Sequence, residues 1–202
     1  MIITPEEQAE IILHAQNPPE QNEIINEHIR EVNAKTKGWS ILCDFTKTSV
    51  SSTVAKFQGD STLVQEVPDI YHRLAHRIAD KLHLSSEHLF FQLIVLGENG
   101  KVSPHYDAGL PGYITYKCNI YVQGPPDVIF VDKNKIEIQE LDLYHFEANL
   151  YKHWMEAKNI KRIHLSYGFL IPYKDLGWDA DSPRVRLSNK IWKFFQKDKW
   201  KH

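Results

Sequence analysis

A chain of 202 residues with 42% hydrophobic and 25% charged residues has the make-up of an ordinary folded domain, which excludes extended disorder. Its formal charge of −2 gives no electrostatic reason to expect nucleic acid as a partner. No run approaches the roughly 18 to 20 apolar residues of a membrane span, the acidic start Met1–Glu7 lacks a signal peptide's pattern, and two cysteines, Cys43 and Cys118, cannot frame a disulfide scaffold, so a reducing, cytoplasmic setting is expected.

In chain order, Thr4-Pro5-Glu6-Glu7 reads as a helix start, with Thr4 as N-cap and Pro5 at the first helical position. Pro18-Pro19 ends that helix. A second helical pattern (Ile24, Ile25, His28, Ile29, Val32) runs toward Gly38. Residues 39–45 and 53–58 are short enough to be strands. Pro68 opens the clearest helix, over 68–83, with Ile70, Leu74, Ile78 and Leu82 on one face.

After residue 88 the period changes from helical to alternating. Leu89–Leu96 reads as a buried strand bounded by Gly97-Glu98-Asn99-Gly100. Over residues 113–122, Ile114, Tyr116, Cys118, Ile120 and Val122 face one way and Thr115, Lys117, Asn119 and Tyr121 the other. Val128–Val131 is a further strand, with Lys133-Asn134-Lys135 as the turn to Ile136 and Ile138. Asp142–Phe146 looks like a strand as well. Over residues 162–171, Ile163, Leu165, Tyr167, Phe169 and Ile171 stand opposite Arg162, His164, Ser166 and Gly168. Strands with one apolar and one polar face predict a barrel or sandwich, apolar side on the helices and polar side lining a cavity. The basic, aromatic tail 190–202 reads as a closing helix.

The chemistry centres on Ser103-Pro104-His105-Tyr106-Asp107. Positions i and i+2 of a strand point the same way, so His105 and Asp107 can hold one metal from one strand end. His153, just before the last long strand, is the candidate third ligand, with His164 as its rival. Two imidazoles and a carboxylate on one face leave coordination positions open, the arrangement suited to non-haem Fe(II). Arg162 follows His153 by nine residues on a strand with a polar interior face, and a guanidinium suits a two-pronged grip on a carboxylate.

The stretch from Gln92 to Tyr173 resembles the Fe(II)- and 2-oxoglutarate-dependent oxygenases, in particular their prolyl-hydroxylase-like branch. The residues that carry the resemblance are Gln92, Gly97, Gly100, His105-x-Asp107, Thr115, His153 and Arg162. It implies an α+β fold, a double-stranded β-helix (jelly-roll, cupin-like) core over 88–173. Residues 1–87 would buttress that core and 174–202 extend it within one domain, 1–202. It implies Fe(II) held by His105, Asp107 and His153, with 2-oxoglutarate and O₂ as co-substrates and ascorbate as a reductant. Arg162 would pair with the C5 carboxylate, decarboxylation would yield succinate, and hydroxylation of a substrate carbon would be the default outcome. The intact Asp107 argues against halogenation. Two positions depart from the pattern, Leu96 in place of a co-substrate tyrosine and His164 in place of a serine, so Lys117, Asn119, Tyr121 and His164 are candidate co-substrate residues beside Arg162.

Other readings stay open. His72-Arg73-Leu74-Ala75-His76 spaces two histidines one helical turn apart, but Arg73 stands where a zinc protease needs Glu. Asp142, His145 and Glu147 could form another cluster, although the segment reads as structural. A cupin-like metal enzyme that does not use 2-oxoglutarate and a non-catalytic β-barrel module are the alternatives to an oxygenase. A chain this short favours a small-molecule substrate over a protein, and residues 107–112 and 48–62 are candidate lids.

Overall fold

The computed structural model describes residues 2–44, 67–84, 89–107, 112–179, 181–187 and 189–190. Helix α1 (Pro5–Gln16) begins on the cap expected for it. The Thr4 side chain accepts from the Glu7 N–H at 3.3 Å, and the Glu7 carboxylate accepts from the Thr4 N–H at 3.0 Å. Glu7 also takes both Nη atoms of Arg77, at 2.8 and 3.1 Å, which ties α1 to α3 (Asp69–Leu82). Ile70, Leu74 and Ile78 form the buried stripe of α3, and the helix stops where His83 adopts the left-handed conformation. Helix α2 (Glu23–Lys35) packs Ile25 and Ile29 on Ile41 of β1 (Trp39–Asp44).

The remaining strands are β2 (Leu89–Leu96), β3 (Gly100–His105), β4 (Tyr113–Gln123), β5 (Asp127–Val131), β6 (Asn134–Ile138), β7 (Leu143–Glu147), β8 (His153–Lys158) and β9 (Arg162–Pro172). They form two antiparallel sheets, a five-stranded one in the order β1-β2-β9-β4-β7 and a four-stranded one in the order β3-β8-β5-β6. A short 3-10 turn, Tyr173–Leu176, follows β9. The outer face of the larger sheet carries Cys118, Ile120, Val122, Ile163, Leu165, Tyr167 and Phe169 against α1 and α3. Its inner face meets the smaller sheet around Leu96, Ile129, Val131, Tyr144, Phe146 and Met155. This is a double-stranded β-helix on a helical buttress.

The two alternating strands keep the register expected of them, because a slip by one residue would send Ile120 and Leu165 into the polar interior. One boundary differs. The β5–β6 turn is Asp132-Lys133, one residue earlier than expected, since Val131 already pairs with Asn134. His153 lies before the last long strand, as expected, and also opens β8, a strand whose run His153-Trp154-Met155-Glu156-Ala157-Lys158 shows no clean apolar alternation to read. Residues 48–62, 108–111 and 191–202, where lids, a strand over 53–58 and the closing helix were expected, lie outside the described residues.

Gly38 and Gly100 bring β1 against the start of β3. A Cβ on Gly100 would lie 1.9 Å from the Gly38 carbonyl oxygen, and Gly38 has φ +76°. That contact fixes the strand that leads to His105.

Candidate metal centre

β3 and β8 pair so that the Cα atoms of His105 and His153 face each other, with ring centroids 4.3 Å apart. Asp107 lies two residues past His105, and its N–H donates to the Ala148 carbonyl at 3.0 Å. One ligand atom from each of His105, Asp107 and His153 lies within 4.8 Å of the others. His164, the rival third ligand, is not in that group. Among the described residues no other group of three such side chains gathers.

Both imidazoles are oriented by backbone. Nδ1 of His105 donates to the Ser103 carbonyl at 2.8 Å and Nδ1 of His153 to the Tyr151 carbonyl at 3.1 Å. A carbonyl can only accept, so in each neutral ring the proton sits on Nδ1 and the lone pair on Nε2. Those two Nε2 atoms stand 3.2 and 3.4 Å from the same oxygen, Oδ1 of Asp107. Three lone pairs converge with no proton among them, and buried His153 Nε2 has no hydrogen-bond partner. A divalent cation resolves that repulsion, and the backbone contacts at Nδ1 are the outer support that metal-binding histidines use.

Burial alone would push the Asp107 carboxyl up, but the Lys117 ammonium, chief among the opposing influences, holds it well below the ordinary carboxylate range. Lys117 contributes through Oδ2, at 2.9 Å from its Nζ, which leaves Oδ1 to the histidines. Burial pushes His153 down, against the pull of Asp107. The set offers two neutral imidazoles and one anionic oxygen, the donors that suit non-haem iron.

The cluster opens on a cavity of about 250 Å³ between the two sheets. Trp39, Ile94, Leu96, Val102, Ile129 and Met155 make it largely apolar, and Gln92, Lys117, Asn119, Tyr144 and His164 are its polar lining apart from the cluster. Of the residues expected to reach a co-substrate, Lys117, Asn119 and His164 are in the wall. Tyr121 and Arg162 are not. Tyr121 turns its hydroxyl to the Pro125 carbonyl at 2.7 Å and stacks on His164, because the strand is bulged just beyond it.

Arg162 is a correction to the sequence reading. It is fully buried, with Nη1 on Asp127 at 2.6 Å and on the Glu156 carbonyl at 3.2 Å, and Nη2 on the Gly100 carbonyl at 2.5 Å. Asp127 also takes Lys158 at 3.0 Å. A buried carboxylate four residues beyond the inward strand β4 has claimed the guanidinium, which no spacing near Arg162 reveals. Tyr144 is a polar cavity residue that sequence reading passed over, since its segment looked structural. The available signal was its alternation with Phe146, which places both on the inner face opposite Asn119 and Lys117.

No protein-family model matches the sequence, and neither does any curated protein. Among solved structures, the chain is similar to the viral collagen prolyl hydroxylase of Paramecium Bursaria Chlorella virus-1, determined with 2-oxoglutarate. The TM-score is 0.53 at 11% identity, over 84% of this chain and 92% of that one. The fold is that of the prolyl-hydroxylase-like oxygenases. A Pseudomonas putida prolyl-4-hydroxylase is also similar (TM-score 0.49, 13% identity, 83% and 88% covered). A cupin superfamily protein of Desulfitobacterium hafniense matches over 42% of this chain and 70% of its own, with TM-score 0.32 and 18% identity.

Proposed function

We propose that the chain is a non-haem Fe(II) oxygenase that uses O₂ and a 2-oxo acid, 2-oxoglutarate, to hydroxylate a small, largely apolar molecule. The observation that carries this is the convergence of His105, Asp107 and His153 in the wall of an apolar cavity, with both Nδ1 protons committed to backbone carbonyls. Fe(II) held there supplies the O₂ and C–H chemistry that no side chain provides. The chain's own part is threefold. His105 and His153 present fixed lone pairs. Lys117 keeps Asp107 ionised and turned with one oxygen toward the histidines. Trp39, Val102 and Met155 keep the reacting space poor in water. A cavity of about 250 Å³ suits a small molecule and not a folded protein surface.

Purified protein supplied with Fe(II), ascorbate and 2-oxoglutarate is expected to release succinate, and Asp107→Ala to release none. Wild-type protein that binds no divalent metal sinks the proposal outright. A second reading, a cupin-like metal enzyme without 2-oxoglutarate, draws support from the engagement of Arg162 by Asp127. Metal binding without succinate release selects it.

A further inference from the structure

If the cavity receives a 2-oxo acid, as the reading above has it, its two ends meet different chemistry. The metal end has charge. Lys117, the one Lys or Arg among the described cavity residues, is paired with Asp107 at 2.9 Å. The guanidinium that could have served the other end is turned away onto Asp127 and backbone carbonyls. What remains on the inner face of β4, β7 and β9 is neutral.

His164 is 3% exposed and lines the cavity, and its Nε2 has no hydrogen-bond partner. Its ring is held by stacking on Tyr121 (centroids 4.8 Å apart) and by the Tyr144 hydroxyl, 3.2 Å from Nδ1. Burial, with Arg162 and Lys117 adding to it, pushes its pKa down to about 3, so the ring is neutral. The His164–Tyr144 pair then has one donor to spare in either tautomer. If the hydroxyl donates to Nδ1, the ring proton is on Nε2. If Nδ1–H donates to the hydroxyl oxygen, the hydroxyl proton is free. Asn119 stands across from Tyr144 in the β4–β7 register, is 4% exposed, and its amide makes no hydrogen bond among the described residues. An amide can donate and accept.

We propose that the far end of the oxo acid is held by these neutral groups, His164 with Tyr144 and Asn119, and not by a guanidinium, so that a terminal carboxamide is accepted about as well as a terminal carboxylate. A paired cation would reward the charge of a carboxylate. A neutral donor with an amide beside it rewards only the polar oxygen.

Three redox-inert probes on the 2-oxoglutarate skeleton test this by direct calorimetric binding to the Fe(II)-loaded, anaerobic protein. They are N-oxalylglycine, its terminal amide N-oxalylglycinamide, and N-ethyloxamate, which ends in a methyl. The first two are expected to bind within about threefold of each other, and N-ethyloxamate about tenfold or more weaker, because it leaves buried polar groups unpaired. Tyr144→Phe and Asn119→Ala should weaken both polar-ended probes and leave N-ethyloxamate unchanged. A preference of about a hundredfold or more for the carboxylate over the amide overturns the inference while leaving the oxo-acid reading intact. So do variants that leave all three affinities as they were. Binding of none of the three probes overturns both.

Discussion

Lys117 touches one ligand of the cluster and shapes what that ligand can do. Its ammonium offsets the burial of Asp107, which without it would favour the protonated acid. Metal binding requires the carboxylate, so Lys117→Met is expected to move the acidic limb of metal affinity to higher pH. A metal titration repeated between pH 4 and 7 reads this directly, and an unmoved limb would remove Lys117 from the role. His105→Ala, Asp107→Ala and His153→Ala are each expected to abolish metal binding with the fold retained, since the three side chains line the cavity and belong to neither buried hydrophobic cluster of the sheets. His164→Ala is expected to keep metal affinity. The reverse result for His153 and His164 would reassign the third ligand.

Among the elements, β4 and β9 divide labour between their faces. The outer face carries stability: Ile120 is fully buried against the helices, and Ile120→Ala is expected to cost about 2 to 5 kcal/mol in urea unfolding. Metal affinity per folded molecule should hardly change. The start of β9 carries the Arg162–Asp127 pair, which joins it to β5 and, through carbonyls, to β3 and β8. Removing Arg162 leaves buried Asp127 with the part-exposed Lys158 as its remaining cation, so Arg162→Met is expected to cost up to about 3 to 5 kcal/mol. Replacing both, with Asp127→Leu added, should recover part of that loss. If Arg162→Met is as stable as wild type and binds 2-oxoglutarate far more weakly, then Arg162 is the carboxylate clamp after all.

The whole molecule stacks helices, one sheet and a second sheet, and the site lies in the seam between the sheets. Placing imidazoles in that seam gives the fold an acid sensitivity. His164 has a folded-state pKa of about 3 against about 6.5 when unfolded, so the unfolded chain binds more protons between those values. Its contribution is therefore complete above pH 6.5 and declines as pH falls toward 3, by up to about 1.4 kcal/mol per pH unit. Depressed Asp107 acts in the same direction at the acid end, below its ordinary range. Chemical denaturation from pH 7 to 4 is expected to show stability falling with acid, and His164→Phe to make the slope shallower. An equal slope in the variant would place the sensitivity elsewhere.

Much of the architecture could be read from residues alone, because it rests on short-range rules. Thr4 and Glu7 close a cap within one turn, Ile70, Leu74 and Ile78 mark a helix face, and period-2 alternation assigns Ile120 and Leu165 to one side and Asn119 and His164 to the other. His105 and Asp107 were expected together from strand geometry, and the structure brings them together with β3 ending at His105 and Asp107 two residues beyond it. What only the tertiary structure decided depends on long-range partners. Arg162 meets Asp127 across 35 residues, Tyr144 meets His164 across 20, and His153 comes to His105 because β8 pairs with β3. A strand pattern states which way a side chain points, not whether a buried charge elsewhere in the chain has already taken it. For Arg162 that second fact governs, since a buried carboxylate needs a partner as much as a ligand does.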